Sequence, residues 1–551
     1  MTAQTLFAAF FALCALGVLL SLAAPAARQG PVLAWTGSLA ALALAWGGGR
    51  VLVAADAFTL ALWPVSNLTT LALTCDRLSA LFIAVTGLVL APASIFAARE
   101  LNAERLRGNE RSFTVMLLAL YAAIALIYLA GDALTFLLAW EVMSILCYLL
   151  IAAARGGESG RAGAAYLLLG LGEAGTVAVA LGFLVIALGA SSLGFPALRA
   201  ASPAMSAQAH WAAFLLTFFG FGVKAGLVPV NSWLPRAYTA ASSAFVPVLA
   251  GATLNLGLYG ILRVNADLMP AIGVEPGLVA LAVGTASALI GILYATTDND
   301  LKVMLAHSSI ENVGIVVAGF GAGMVFVTSG HPALAAIALT AALYHLANHS
   351  LYKTLLFFGV GVIEGETGTR DIDRLGGLIR SMPLTALGFL AGTLSIAGLP
   401  PFNGFASEWL TLQTMLRSAE LGSIEAKIVF ALCGAALALT AALAVTCFVK
   451  AFAMGFLGMR RMDGGRRLVE PTRGALAPIG ILAVLCLAFG VLPTYVIAAL
   501  DGAVSPLAGA SASEALVPPF FAAAPGHEAL PPAFVAEFHD LGAQVGQEAV
   551  P

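Results

Sequence analysis

Apolar runs of about twenty residues recur along this chain, and this leaves it few ways to fold. The sequence is 60% hydrophobic and 10% charged, whereas a soluble domain carries about 25% charged residues. Too little polar surface exists to face water. Within hydrocarbon every backbone N–H and C=O must be bonded inside its own segment, so runs of this length have to be helices. The spacing predicts an all-α polytopic membrane protein with about 14 transmembrane helices. They fall near residues 5–24, 31–48, 78–98, 113–131, 134–153, 163–188, 211–243, 245–262, 277–296, 304–325, 332–362, 384–416, 424–456 and 476–500. The seventh and twelfth are read as discontinuous.

The discontinuities carry the functional reading. Lys224 sits in an apolar run and is followed at once by Gly226, Pro229 and Asn231. A lysine at the centre of a spanning helix costs roughly 2.5–3.5 kcal/mol, so it is kept where it has a partner or a wet path. The wording AGLVPVN from Ala225 returns as AGLPPFN from Ala397, 172 residues on, with Gly398, Pro400 and Pro401 at the second break. Paired broken helices point to a transport path built on an internal repeat. Five spans, 113–263, and five more, 276–456, each hold the break in the fourth. An odd number makes the two repeats inverted. Residues 1–112 supply three leading helices, 474–500 a last helix and 501–551 a Pro/Ala-rich tail.

Other ionisable residues lie at bilayer depth. Glu141 stands alone in LTFLLAWEVMSILCYLLI and could pair with Lys224; Glu173 is a further acid in the next span. His345, His349 and Lys353, spaced i, i+4, i+8, share one helix face. Histidine titrates nearest neutral pH, which suits a proton-carrying column. Glu408 follows the second break and is a candidate terminal site. Lys302 either snorkels to the interface or links the column to water, with His307 and Glu311 nearby. Asp132 reads as an interfacial loop acid. The match GLGEAG at Gly170, Gly172 and Gly175 follows no strand, so a dinucleotide site is rejected. No CxxC pair and no HExxH occur, which argues against an iron–sulfur or zinc site in this chain. Nothing in the charge pattern suggests nucleic acid.

The ordered stretches DALTFLLAWEVMS, GVKAGLVPVNSWLPRA, DNDLKVMLAHSSIENVGI, HLANHSLYKTLLFFGVG and AGLPPFNGFASEW resemble the antiporter-like membrane subunits of respiratory complex I and of multisubunit cation/proton antiporters. SSIENVGI, TGTRDIDRLGGL and GLPPFNGFASEWLTLQ look most like the large membrane subunit of hydrogenase-4 and formate hydrogenlyase. The resemblance covers residues 78–416. It implies proton translocation, an intake pair Glu141–Lys224, a polar axis through Lys302, His345, His349 and Lys353, and an exit at Glu408. Where that family has a lysine in the eighth span, this chain has Asn255, and Tyr238-Thr239 replaces the usual His-Pro. An asparagine can hold water but cannot carry a proton charge, so Glu173 or water would bridge the gap.

The expected function is a proton-translocating subunit of a hydrogenase-4-like or complex I-like redox complex, with a multisubunit Na⁺(K⁺)/proton antiporter subunit and a non-conducting scaffold as alternatives. Cofactors are expected on partners, as nickel-iron or iron–sulfur centres in a peripheral redox arm, with none in this chain. Other membrane subunits and the bilayer complete the list of partners. Basic residues (Arg99, Arg105, Arg107, Arg111, Arg155, Arg161, Lys302, Arg370, Arg460, Arg461, Arg466 and Arg467 among them) gather on one side of the spans. Arg50, Arg77, Arg199, Arg263, Arg417 and Lys427 mark the other. The positive-inside rule then sets a plasma-membrane protein with both termini outside.

Overall fold

In the computed structural model, residues 1–66, 69–101, 108–153, 160–270, 272–461 and 468–516 are described. Arg105, Arg107, Arg155, Arg466, Arg467 and the tail from 517 lie outside them. The chain opens with α1 (Ala3–Ala23) and α2 (Ala26–Ala54), then a two-stranded antiparallel hairpin of β1 (Phe58–Ser66) and β2 (Thr69–Cys75). Helices α3 (Arg77–Glu100), α4 (Glu110–Leu129), α5 (Ala133–Ala152) and α6 (Arg161–Ala187) follow, then the short α7 (Phe195–Ala201). The first broken segment is α8 (Ala207–Ala225) with α9 (Trp233–Ala240). Next come α10 (Val246–Leu268), α11 (Glu275–Thr297), α12 (Leu301–Thr328) and α13 (Pro332–Thr367). The second broken segment is α14 (Pro383–Ile396) with α15 (Asn403–Leu416), and the chain continues through α16 (Ile424–Phe456), α17 (Arg473–Val491), α18 (Pro493–Ala508) and α19 (Ala512–Leu516). Twelve helices among the described residues are long and apolar enough to cross a membrane.

Three features differ from the sequence reading. The hairpin was not expected: its strands lie between two spans, where the sequence was read only as a connection. The last span, 476–500, is instead two helices meeting at Leu492-Pro493. Proline has no N–H for the helical ladder and drives the residue before it out of the α region, and Leu492 indeed has φ −116° and ψ 46°. Arg263, counted as an outer loop charge, is buried within α10, whose π-helical last turn runs to Leu268.

Helix α10 is wholly buried and α3, α12 and α13 nearly so, whereas in α1, α16 and α17 a third of the residues or fewer are buried. At 36 residues α13 is the longest helix among the described residues, and it packs against α12, α14, α15, α17 and α18. Helices α11 and α12 touch most closely. Gly277, Gly284 and Gly291 recur every seven residues on α11 and meet Gly321, Gly314 and the His307–Glu311 turn of α12. A Cβ on Gly277 would stand 2.8 Å from Gly321 O, and one on Gly291 2.5 Å from Glu311 N. Small residues let membrane helices pack backbone to backbone where lipid supplies no hydrophobic drive.

The hairpin and α10 are fastened at one end of the bundle by charge. Asp76 caps α3 by accepting from Ser79 N at 2.8 Å and receives both terminal nitrogens of Arg263 at 2.7 Å. Arg263 also donates to Asp267 at 2.7 Å, Tyr259 Oη at 3.1 Å and Ser79 Oγ at 3.0 Å. Burial would raise the Asp76 carboxyl, but the Arg263 guanidinium and the Ser79 bonds hold it down to about 2.

Two outcomes follow. Gly284→Ala should lower thermostability in detergent by about 1–3 kcal/mol, because Ala318 N is backbone and cannot give way. Gly170→Ala, in open space, should not; equal stability of the two variants would refute the close-packing account. The Asp76 contribution is present above the unfolded value of about 3.9 and is lost as pH falls through about 2. Acid-unfolding curves of wild type and Asp76→Asn should therefore differ near pH 5 and converge below that range.

Candidate functional site

Each helix break is built the same way. Gly226 and Gly398 adopt left-handed backbone, φ 81° and 60°, and stop α8 and α14. Leu227 N then bonds Gly222 O at 2.9 Å and Val230 N bonds Leu227 O at 2.8 Å. At the second break Leu399 N bonds Leu394 O at 3.0 Å and Phe402 N bonds Leu399 O at 3.1 Å, the same bonds 172 residues on. The aspartates before α5 and α12 also correspond: Asp132 caps α5 and bridges Gly194, and Asp300 caps α12 and bridges Asp371. Asp132, read as an interfacial acid, is fully buried and fastens β2 through Ala72 N at 2.8 Å.

Lys224 is buried in the last turn of α8. Its Nζ lies 4.0 Å from Cys147 Sγ, in a small hollow lined by Trp140, Ser144, Gly172 and Trp233. Trp233 Nε1 donates to Val223 O at 2.8 Å, which also accepts from Gly226 N at 3.2 Å at the break. The expected partner Glu141 is not joined to Lys224: the two are not within the 4.0 Å of an ion pair. Residues 140, 144 and 147 share the face of α5 toward Lys224. Glu141 is turned about 100° from Trp140, and its carboxyl instead neighbours that of Glu173 on α6. Glu141 Oε1 is buried without a hydrogen-bond partner.

Asn255 follows a π-helical turn, Leu249–Thr253, in α10. Its Nδ2 donates to Gly251 O at 3.1 Å and to Ser350 Oγ at 2.8 Å, so it joins α10 to α13 one residue from His349. Its Oδ1, like both ring nitrogens of His349, is buried and has no hydrogen-bond partner.

The column on α13 is dense with polar contacts. Lys353 Nζ donates to Leu305 O at 2.8 Å and to Ser308 Oγ on α12. Asn312 Nδ2 donates to Ser308 O at 2.6 Å, which turns its Oδ1 toward His345 Nε2 at 3.0 Å and toward Tyr352 Oη. His345 Nε2 therefore carries the proton. His345 Nδ1 meets Ser407 Oγ on α15 at 3.0 Å. Asn348 and Asn403 bond reciprocally, with Asn348 Nδ2 on Asn403 O at 2.8 Å and Asn403 Nδ2 on Asn348 Oδ1 at 3.0 Å. Glu408 lies over Gly398 in the second break, where any Cβ would overlap its carboxylate. Buried Glu311 stands within electrostatic reach of Lys353 and Glu408. Asn312, Asn348, Tyr352 and Ser407 were not singled out from sequence; the signal was their place on the same faces as the titratable residues.

Lys302 is buried rather than snorkelled, with 1% of its side chain exposed. Its Nζ pairs with Glu364 at 3.1 Å and donates to Ala241 O at 3.3 Å. His307 turns away and meets Asp298 at 2.6 Å. No group of three or more His, Cys, Asp or Glu able to hold a metal occurs among the described residues.

The bundle is thus a polytopic helical membrane protein with two broken helices and a buried polar column shared by α12, α13 and α15. The chain belongs to the NADH:quinone oxidoreductase/Mrp antiporter transmembrane family, which residues 130–436 match. It is 35% identical to hydrogenase-4 component B of Escherichia coli over 77% of this chain, and the match spans 62% of that protein. Formate hydrogenlyase subunit 3 of the same organism is 35% identical over 53% of this chain and 48% of its own length. Among solved structures, a chain of respiratory complex I from Thermus thermophilus superposes with TM-score 0.75 and 25% identity, covering 92% of this chain and 99% of that one. A chain of the Mrp complex from Dietzia sp. DQ12-45-1b gives TM-score 0.75 at 22% identity, covering 92% and 98%, and shares the fold.

Gly398→Ala tests the second break. Left-handed backbone costs an alanine roughly 1–2 kcal/mol, and the methyl must also displace Glu408. The variant should lose thermostability, while Gly365→Ala, whose added Cβ would meet nothing within 4 Å, should not.

Proposed function

We propose that this chain is a proton-translocating membrane subunit of a hydrogenase-4-like or complex I-like redox complex. The observation that carries the reading is the buried polar column from Lys353 through Ser308, Asn312, His345 and Ser407 toward Glu408. A column of this kind in hydrocarbon is costly and is kept for conduction. The relatives named hydrogenase-4 component B and formate hydrogenlyase subunit 3 favour a redox partner over an antiporter assembly. Nickel-iron or iron–sulfur centres belong on that partner. The path takes fourteen crossings, with the broken segments added to the twelve long helices and the repeats inverted, in a plasma membrane with both termini outside.

In this mechanism Lys224 releases a proton inward when Glu141 and Glu173 change charge beside it. The proton passes by way of Asn255 and His349 to Lys353 and the His345 cluster, and Glu408 gives it up at the far end. Moving one charge through 100 mV costs about 2.3 kcal/mol, within what a redox step on a partner can supply.

The purified complex in liposomes tests this with a pH-sensitive dye. Glu141→Gln and Lys224→Ala should each remove translocation by this subunit at unchanged assembly, and Asn255→Lys should leave it intact or raise it. Wild-type translocation in both of the first two variants would overturn the reading. Translocation that requires Na⁺ or K⁺ in the absence of redox turnover would select the antiporter instead.

A further inference from the structure

Outside the column lies a second charged cluster, at the end of the bundle where α12 begins and α13 ends. At its centre is Glu364, in the last turn of α13. Its Oε2 is 3.1 Å from Lys302 Nζ and accepts from Ser243 Oγ at 3.0 Å, and its Oε1 is 3.4 Å from Arg370. Arg370 in turn meets Asp300 at 3.0 Å. Exposure rises in that order. The Lys302 side chain is 1% exposed, Glu364 9%, Arg370 15% and Asp300 32%. The cluster is thus a ladder from water at the mouth to a buried ammonium. Beyond Lys302, one turn along α12, Leu305 O already holds Lys353.

We propose that Glu364 delivers protons from the water at this end to Lys302. The inference rests on the proton-conduction reading above. The contacts support a delivery role over a purely structural one. A carboxylate that only neutralised Lys302 would not need a second cation. Here Arg370 and Ser243 fix its two oxygens while Lys302 occupies the inner side, so a proton can arrive on the Arg370 side and leave on the other. The step balances as a simple transfer. When Lys302 has passed its proton inward and is neutral, the O–H bond of protonated Glu364 breaks as an N–H bond forms on Lys302. The ammonium–carboxylate pair at 3.1 Å is restored. Water beside Asp300 and Arg370 then reprotonates the carboxylate. Arg370 and Ser243 are positioning residues in this scheme.

The test uses the whole complex in liposomes, with redox turnover, translocation and thermostability read together. Glu364→Gln keeps the shape and one acceptor but cannot release a proton, and should cut translocation through this subunit about a hundredfold, the scale of a lost proton donor. Glu364→Asp should recover most of it. Lys353→Ala and Glu408→Gln test the conduction reading separately. If these two abolish translocation while Glu364→Gln matches wild type, delivery by Glu364 is overturned and conduction stands. If all three match wild type, conduction itself is wrong. Should Glu364→Gln fail to assemble, Ser243→Ala, which keeps the carboxyl but removes a bond to its Oε2, is read instead: wild-type translocation overturns the proposal, and a loss at unchanged thermostability supports it.

Discussion

Charge held at bilayer depth is the constraint on which the structure turns. An ammonium in hydrocarbon needs acceptors, and the helical ladder has already used most backbone carbonyls. This chain supplies them with hydroxyls and helix ends. Lys353 rests on Leu305 O and Ser308 Oγ, and Lys302 on Ala241 O, just past the end of α9. Glu408 takes the hollow that Gly398 leaves by lacking a side chain. Of the buried lysines, Lys302 has a carboxylate in direct contact, in Glu364. Lys353 is held by neutral groups, so its energy depends on a more distant carboxylate, Glu311. A cation whose neutralising partners stand off is one whose state can be altered by changing them.

The same constraint accounts for the rigid frame around the column. Polar contacts a few tenths of an ångström too long lose much of their strength, so the helices that carry them have to be fixed. The seven-residue glycine spacing seats α11 against α12 backbone to backbone, and α12 carries Lys302, Ser308, Glu311 and Asn312. Reciprocal bonds between Asn348 and Asn403 hold α15 against α13. Arg263 fastens α10 to the start of α3 through Asp76.

Much of this was legible in the sequence, for identifiable reasons. Span length and hydropathy follow directly from bilayer thickness, so the helices stood out. AGLVPVN and AGLPPFN marked both breaks because a left-handed glycine and a nearby proline have few other uses inside an apolar run. The His345, His349 and Lys353 face followed from helical periodicity. What periodicity could not supply was the rotation of α5 relative to α8, which turned Glu141 toward Glu173 and left Ser144 and Cys147 beside Lys224. Glu364 was passed over because it lies at a helix end among exposed charges, where an acid is ordinary. The hairpin was missed because FTLALWPVS and TTLALTC lie between spans and were read as a connection.

Asn255 decides how the two halves can communicate. It bonds Gly251 and Ser350 and joins α10 to the column beside His349. An amide cannot hold the charge that a lysine would, so no ionised intermediate forms at this position. Two charges about 10 Å apart at an effective dielectric near 20 still interact by roughly 1.7 kcal/mol. That is close to the 2.3 kcal/mol of one charge crossing 100 mV. A neutral link of this kind lets charges on either side of it act on each other without a charged stop between them. The Oδ1 of Asn255 and both ring nitrogens of His349 are buried at this link without a hydrogen-bond partner. Replacing the lysine by asparagine on this account removes a storage site and keeps the connection.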